Sequence, residues 1–318
     1  MFHAALLRDE AHWSRLLQDL EAPGDDEATL HWRLTTEVFR QNAALLRPMW
    51  EATHGRHGWV CAQVTPDVAE DTAAMVRQGL ALAAIAPNVM VKVVGSAAGY
   101  RAIETLTAAG VSTNATLSFS VSQLASGIDA VQRGLASART AGVPLDAWRS
   151  VFTYMAGRVG AEPSLHAQAA DRGLTLGPSD VRWAEVAIAR RIDALAEAAG
   201  RPVKPLMCSI AIDPDGGCTH LSALAGSDWV FTLSPPVLAA LAGTRRPLAP
   251  DPGPVPDSVL ARLSSLPYFQ AVYEPHGLAP EDFAAFPAFV TALGDARAAH
   301  GQTLEWIRAR RGRAEGDR

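Results

Sequence analysis

Apolar and polar positions alternate along this chain in two rhythms. Between Asp25 and His54 the residues Leu30, Trp32, Leu34, Val38, Phe39, Leu45, Leu46 and Trp50 recur at roughly helical spacing, and Gly55 supplies a stop. WVCAQV (59–64) is then short and β-rich. Thr65-Pro66-Asp67 follows, with a cap, a proline at the first helical position and an acid in the first turn, and predicts a helix to about Ala86. NVMVKVV (88–94) is nearly all apolar, as a strand covered on both faces is. Ser96 caps a further helix ending at Gly110. The alternation continues with VSTNATLSF (111–119), a helix from about Ser120 to Ala141, WRSVFTYMA (148–156) and a helix over about 179–199 closed by Gly200. KPLMCSIAI (204–212), SDWVFTL (227–233) and a helix opened by Ser234-Pro235 complete the set.

The proline-rich stretch 246–258 is expected to be a surface loop, and Ala279 to about Arg311 to be helical. Strand–helix repetition predicts a parallel sheet with helices outside. Right-handed crossovers in series allow an open sheet or a closed barrel. No GxGxxG or Walker-type loop follows the early strands, which weighs against a nucleotide-binding open sheet. No linker divides the chain. The expected architecture is therefore one α/β domain over 1–318, with N-terminal helices over 1–56 and a C-terminal helical region over 279–312.

Composition narrows the function classes. The chain has 318 residues, 48% apolar and 19% charged, which is globular composition. Its formal charge is −5 and no polybasic run stands unbalanced, so neither nucleic acid nor a membrane surface is an expected partner. The N-terminus carries acids early and is not a signal peptide, and no apolar run approaches the ~20 residues of a membrane span. Three cysteines without a CxxC suit a reducing cytosol, so the expected location is cytoplasmic. Nine histidines form no HExxH or similar cluster, so a metal enzyme is not indicated. Cys61 is expected as a buried inert thiol. Cys218 and His220 lie two apart in a glycine-rich loop with no third partner visible.

Lys92 is the most informative residue. It interrupts Val-Met-Val-Lys-Val-Val, and period-two alternation puts Met90, Lys92 and Val94 on one face and Val89, Val91 and Val93 on the other. The β-branched face suits helix packing, so the lysine points toward the barrel axis. Burial disfavours an ammonium, and a neutral amine is a nucleophile that attacks carbonyls to form a Schiff base. A lysine snorkelling from the strand end, or paired with an acid, is the structural alternative. The next strand carries Asn114, Thr116 and Ser118 on one face, where a purely structural barrel carries Val, Ile and Leu. Such hydrogen-bonding groups beside an amine orient water and hold substrate hydroxyls.

These residues resemble a known family. NVMVKVVGSAAGYRAIETLTAAGVSTNATLSFSVSQ (88–123) is similar to the central motif of transaldolases: a lysine strand, a helix entry, Ala-Gly, then Asn-x-Thr-Leu-x-Phe-Ser and a glutamine. Residues 45–72, 152–160 and 226–241 extend the likeness over about 24–245. The resemblance implies a TIM-type (β/α) barrel and a cofactor-free, metal-free enzyme. Its strand lysine forms a Schiff base with a ketose, and a dihydroxyacetone unit passes to an acceptor aldose. It implies Lys92 as the Schiff-base residue, with Asn114 and Thr116 positioning water and substrate. By the same likeness Thr153 stands for a substrate-binding serine, Arg158 for an arginine that holds the sugar phosphate, and Ser209 for a serine of the seventh strand.

The departures from the family are specific. Gln63 stands where the family has an acid/base glutamate; a glutamine holds a water but shuttles no proton. Relatives that act as fructose-6-phosphate aldolases share that glutamine and use a nearby tyrosine; the matching position here is Met155, with Tyr154 beside it. A second phosphate-binding arginine is replaced at about Ala211. Six strands are recognisable where the family has eight: either the first two are absent, or the start of the sequence was placed too late, or a partner supplies them, and a six-stranded parallel sheet has edges that proteins usually cover. The implied partner is a small-molecule sugar or sugar phosphate, and a homodimer is allowed. The readings left open are a transaldolase-like enzyme, a lysine-dependent aldolase on an unphosphorylated substrate, and a silent relative that binds a sugar or a protein.

Overall fold

The computed structural model describes residues 6–243 and 251–316. Two helices lead, α1 (Glu10–Leu20) and α2 (Glu27–Ala52), opened by the Asp9 and Asp26 side chains, which accept from His12 and Thr29 backbone N–H groups. Six strands follow: β1 (Val60–Gln63), β2 (Val89–Val94), β3 (Thr113–Ser118), β4 (Ser150–Met155), β5 (Lys204–Cys208) and β6 (Val230–Phe231). They form one sheet in the order β1-β2-β3-β4-β5-β6, every adjacent pair parallel. Between them run α3 (Thr72–Ala83), α4 (Ala97–Ala108), α5 (Val121–Thr140), α6 (Ala156–Gly160), α7 (Pro163–Asp171), α8 (Pro178–Ala198) and α9 (Thr219–Ser222). After β6 come α10 (Pro235–Gly243), α11 (Asp257–Ser264), α12 (Pro267–Tyr273) and the long α13 (Pro287–Gly316). The sheet curls into a partial TIM-type barrel. Among the described residues β1 and β6 do not pair with each other, so the curl stays open.

Each of the six expected strands is present, trimmed at its ends. Val89, Val91 and Val93 turn outward and are 0–3% exposed. Each such side chain contributes roughly 1.5–3 kcal/mol by burial. Ser96 caps α4 as expected, accepting from Gly99 N–H at 3.1 Å. Gly99 is required there: a Cβ would land inside the contact radius of the Val94 carbonyl, so only glycine lets α4 sit on the end of β2.

The expected helix over 65–86 is instead two pieces. A 3-10 turn covers Pro66–Val68, the chain breaks, and α3 starts at Thr72 because the Asp71 side chain accepts from Ala74 N–H. Thr65 makes no side-chain cap. The expected C-terminal helix likewise divides into a 3-10 segment (Pro280–Ala285) and α13. Of the proline-rich stretch 246–258, residues 246–250 lie outside the described residues, 251–256 are irregular, and α11 begins at Asp257.

α13 ties both ends of the molecule to the strand ends. Phe289, Ala292 and Leu293 join the main core, together with Phe283 and Phe286 just before and at the helix entry. Further along, Trp306 and Ile307 pack with Leu17, Leu30 and Leu34 of α1 and α2 in a second cluster. The His31 and His300 rings meet edge-on in this region, with centroids 4.4 Å apart. Burial, and next the neighbouring His300, push the His31 imidazole down from 6.5 to about 4, against the opposing pull of Asp67.

A stability slope follows from that shift. Above pH 6.5 His31 is neutral in folded and unfolded chains and full stability is present. As pH falls from 6.5 toward 4, only the unfolded chain takes the proton, and stability is lost, by up to about 3 kcal/mol when the titration is complete. Urea unfolding at pH 7 and pH 5 should show a larger drop for the native chain than for His31→Gln; parallel curves would refute the assignment.

Candidate active site

The site is built by register. Gln63 pairs with Lys92, and Lys92 with Asn114, so three side chains stand in a row on the inner face across β1, β2 and β3. Neighbouring strands lie about 4.8 Å apart, so the backbones of Gln63 and Asn114 flank that of Lys92 at roughly that spacing. Lys92 is partly exposed while the rest of its strand is buried. Among the described residues no hydrogen bond or ion pair engages its ammonium.

The chain's one other lysine, Lys204, begins β5 and is paired with Asp228. The two lysines thus have opposite surroundings: one balanced on the surface, the other unbalanced inside the curl.

Asn114 is 2% exposed and held from both ends of its amide. Thr153 donates its hydroxyl to Oδ1 at 2.7 Å, and Nδ2 lies 3.3 Å from Cys61 Sγ. With Oδ1 accepting from Thr153 and Nδ2 donating to Cys61, the amide is fixed between β1 and β4, and Nδ2 keeps one further N–H. Thr116 follows on the same face, opposite Val94 in register. It is 3% exposed, and its hydroxyl makes no hydrogen bond among the described residues. Cys61, expected as a buried thiol, is exposed, because β1 is an edge strand here.

Ser118 departs from the alternation. The ladder between β3 and β4 is irregular between Ala115 and Ser118, and Leu117 adopts φ +51°. That left-handed residue inserts one extra step, so Ser118 pairs with Tyr154 and turns from the inner face toward Gly95 on the helix side. The sequence period alone placed Ser118 beside Thr116, and the bulge corrects that reading. The conformation is held by Gln123, which is 1% exposed. Its Nε2 donates to the Gly95 and Leu117 carbonyls at 2.7 and 3.1 Å, and its Oε1 accepts from Phe119 and Ser120 N–H. Gln123 also closes a capping box with Ser120. A buried glutamine at this spacing was a readable sign of a device that ties two strand ends together.

Tyr154, beside the position where an acid/base tyrosine was considered, faces away from the site. Its hydroxyl donates to the Glu185 carbonyl of α8 at 3.2 Å and is fully buried. Burial, then the nearby Glu185 carboxylate, hold the phenol well above its ordinary range.

On the far side of the curl, Met155 pairs with Cys208, and Ser209 follows, exposed and at φ +58°. Burial pushes the Cys208 thiol up, while Lys92 and, more weakly, Arg158 pull it down, so both cations lie within electrostatic reach of one sulfur. Arg158, on α6 just beyond β4, donates from Nη1 to Asp295 of α13 at 2.7 Å.

The loop after β5 is pinned outside this site. Arg182 pairs with Glu185 and with Asp213 (2.9 Å), and fully buried His220 lies 2.8 Å from Glu185. Cys218 donates to the Ala211 carbonyl at 3.7 Å, so Cys218 and His220 have separate partners. A cavity of about 450 Å³ beside Arg182, Trp183 and Asp213 belongs to this flank, away from Lys92.

A partial parallel barrel with an unpaired lysine among amide and hydroxyl groups defines the class of lysine-bearing (β/α) barrel proteins. Residues 2–263 match the family model described as Transaldolase/Fructose-6-phosphate aldolase. The chain belongs to that family. It is 32% identical to a transaldolase of Thermobifida fusca over 257 residues, which is 76% of this chain and 70% of the relative. Likeness to a transaldolase of Saccharopolyspora erythraea is 32% over 252 residues, 75% of this chain and 68% of the relative. With Transaldolase 1 of Streptomyces avermitilis it shares 37% over 166 residues, 51% of this chain and 43% of the relative. The chain thus spans under half of that last relative's length.

Proposed function

We propose that this chain is a Schiff-base enzyme that cleaves or transfers a dihydroxyacetone-type three-carbon unit between a ketose and an aldose. The carrying observation is Lys92: an amine inside the curl with no counter-charge among the described residues, flanked in register by Gln63 and Asn114. An unpaired ammonium in such a place is costly, and loss of its proton gives the nucleophile.

The chemistry then proceeds through the side chains at hand. The Lys92 nitrogen attacks the ketose carbonyl carbon, and the carbonyl oxygen takes up a proton to give a carbinolamine. Loss of water leaves an iminium. The iminium accepts the electron pair of the C3–C4 bond, the C4 hydroxyl gives up its proton, and an aldehyde departs. The remaining enamine attacks an acceptor aldehyde or is protonated, and water returns the amine. Asn114 donates to a substrate hydroxyl, with its amide held in place by Thr153. Thr116 and Gln63 hold the water that enters and leaves; Gln63 orients it without titrating. Arg158 and Ser209 stand at the mouth toward the far end of the sugar. Ser118, turned off the face, supports β3 rather than substrate.

A silent sugar-binding relative is the competing reading, favoured by Gln63 in place of a titrating group. Borohydride reduction in the presence of dihydroxyacetone or fructose 6-phosphate, followed by peptide mass mapping, separates the two. With only Lys92 and Lys204 in the chain, an adduct has two candidate lysines. Reduction product at Lys92 supports the enzyme; none across a broad carbonyl panel leaves the silent relative standing. Few cysteines and the sugar chemistry fit a cytoplasmic setting. Among the described residues no helix is long and apolar enough to cross a membrane.

A further inference from the structure

Arg158 lies within electrostatic reach of Cys208, as Lys92 does, and it is already engaged. Its Nη1 donates to Asp295 Oδ2 at 2.7 Å, although the two residues are 137 positions apart in the chain. Asp295 is not an incidental neighbour. α13 is seated by Phe289, Ala292 and Leu293 in the main core, and Arg297 pairs with Glu70, next to the turn that follows β1, at 3.1 Å. The helix therefore carries its carboxylate to the mouth from a fixed position. The Arg158 and Asp295 side chains are 39% and 57% exposed, so the pair adds little to stability. Its effect falls on whatever approaches the mouth. Apart from Lys92, the inner face offers uncharged groups: Gln63, Asn114, Thr116, Thr153, Cys208 and Ser209.

A phosphate seated on Arg158 would place its two negative charges against the Asp295 carboxylate, a like-charge contact of the kind that rejects wrong ligands. A neutral polyol meets no such conflict. One hydroxyl accepts from the free donors of the guanidinium, and its neighbour donates to the carboxylate.

We infer that Asp295 is a specificity-determining residue that sets the mouth of the site for unphosphorylated polyhydroxy carbonyl substrates. The inference rests on the Lys92 reading above and deepens it by naming the substrate class.

The test compares fructose with fructose 6-phosphate as donors, and inorganic phosphate as an inhibitor, on the native chain and on Asp295→Asn. The native chain should use fructose at least as well as its phosphate ester, by kcat/KM, and inorganic phosphate should inhibit weakly. Asp295→Asn should raise kcat/KM for fructose 6-phosphate by about tenfold or more, mostly through KM, and tighten phosphate inhibition to match. Adding Arg158→Met should cancel both gains. The half-exposed pair predicts little change in melting temperature, which checks that the variant folds.

A native preference of tenfold or more for the phosphate ester would overturn the inference, as would unchanged phosphate affinity in Asp295→Asn. Phosphate binding is also read without turnover, by titration calorimetry on both proteins. A failure of dihydroxyacetone to trap Lys92 thus sinks the catalytic reading, while the calorimetric comparison still decides the role of Asp295.

Discussion

Replacing Lys92 by methionine is expected to remove three-carbon transfer by on the order of 10⁴-fold or more while leaving the protein at least as stable. The two halves come from one observation. The amine is the sole nucleophile in the row Gln63–Lys92–Asn114, so its loss closes the covalent route. It is also an unbalanced charge among buried strand neighbours, and methionine keeps the length of the stem without the charge. Melting temperature should hold or rise by about 1–3 °C. A fall of more than about 5 °C, with activity lost only in proportion to unfolding, would recast Lys92 as a structural residue.

Gln63→Glu has the second-largest expected effect, and its sign is set by two opposed terms. A carboxylate in register with Lys92 supplies a proton shuttle, worth about 10²–10⁴-fold where proton transfer limits the rate. The same carboxylate, in register with Lys92, attracts its ammonium and so opposes attack on a carbonyl. The shuttle wins on balance, and a net gain of about tenfold in exchange of the three-carbon unit is expected, with the optimum moved to higher pH. Rates measured from pH 6 to 9 check both features. A variant slower than the native chain at every pH would show that Gln63 already serves a reaction in which proton transfer is not limiting.

The strands of this fold were legible because a buried parallel strand writes itself as an apolar run. Residues 89–94 carry one polar interruption, and that interruption is the amine. Asn114 and Thr116 were legible by period, since alternation holds from Thr113 to Thr116. It fails at Leu117, whose positive φ has no signature in a leucine, so the turning of Ser118 was invisible. The split of the helix near residue 70 was hidden for a different reason. Two caps, Thr65 and Asp71, compete to open it, and local pattern does not say which one holds the helix. Asp295 had no local sign at all. It matters only because α13 folds back onto the strand ends, a tertiary fact carried by Phe283, Phe286 and Phe289. The outward turn of Tyr154 follows from pairing, as its neighbour Thr153 bonds Asn114 on the inner face and the tyrosine must take the other.

The scarcity of lysine has a practical side. With Lys92 and Lys204 the only lysines of this sequence, covalent attachment to activated resins or crosslinkers through ε-amines has two handles. Lys204 is engaged by Asp228 and Lys92 stands between Gln63 and Asn114 in register, so coupling at either one disturbs a described ion pair or the candidate site. Tethering through an appended tag or an engineered surface thiol leaves both lysines unmodified.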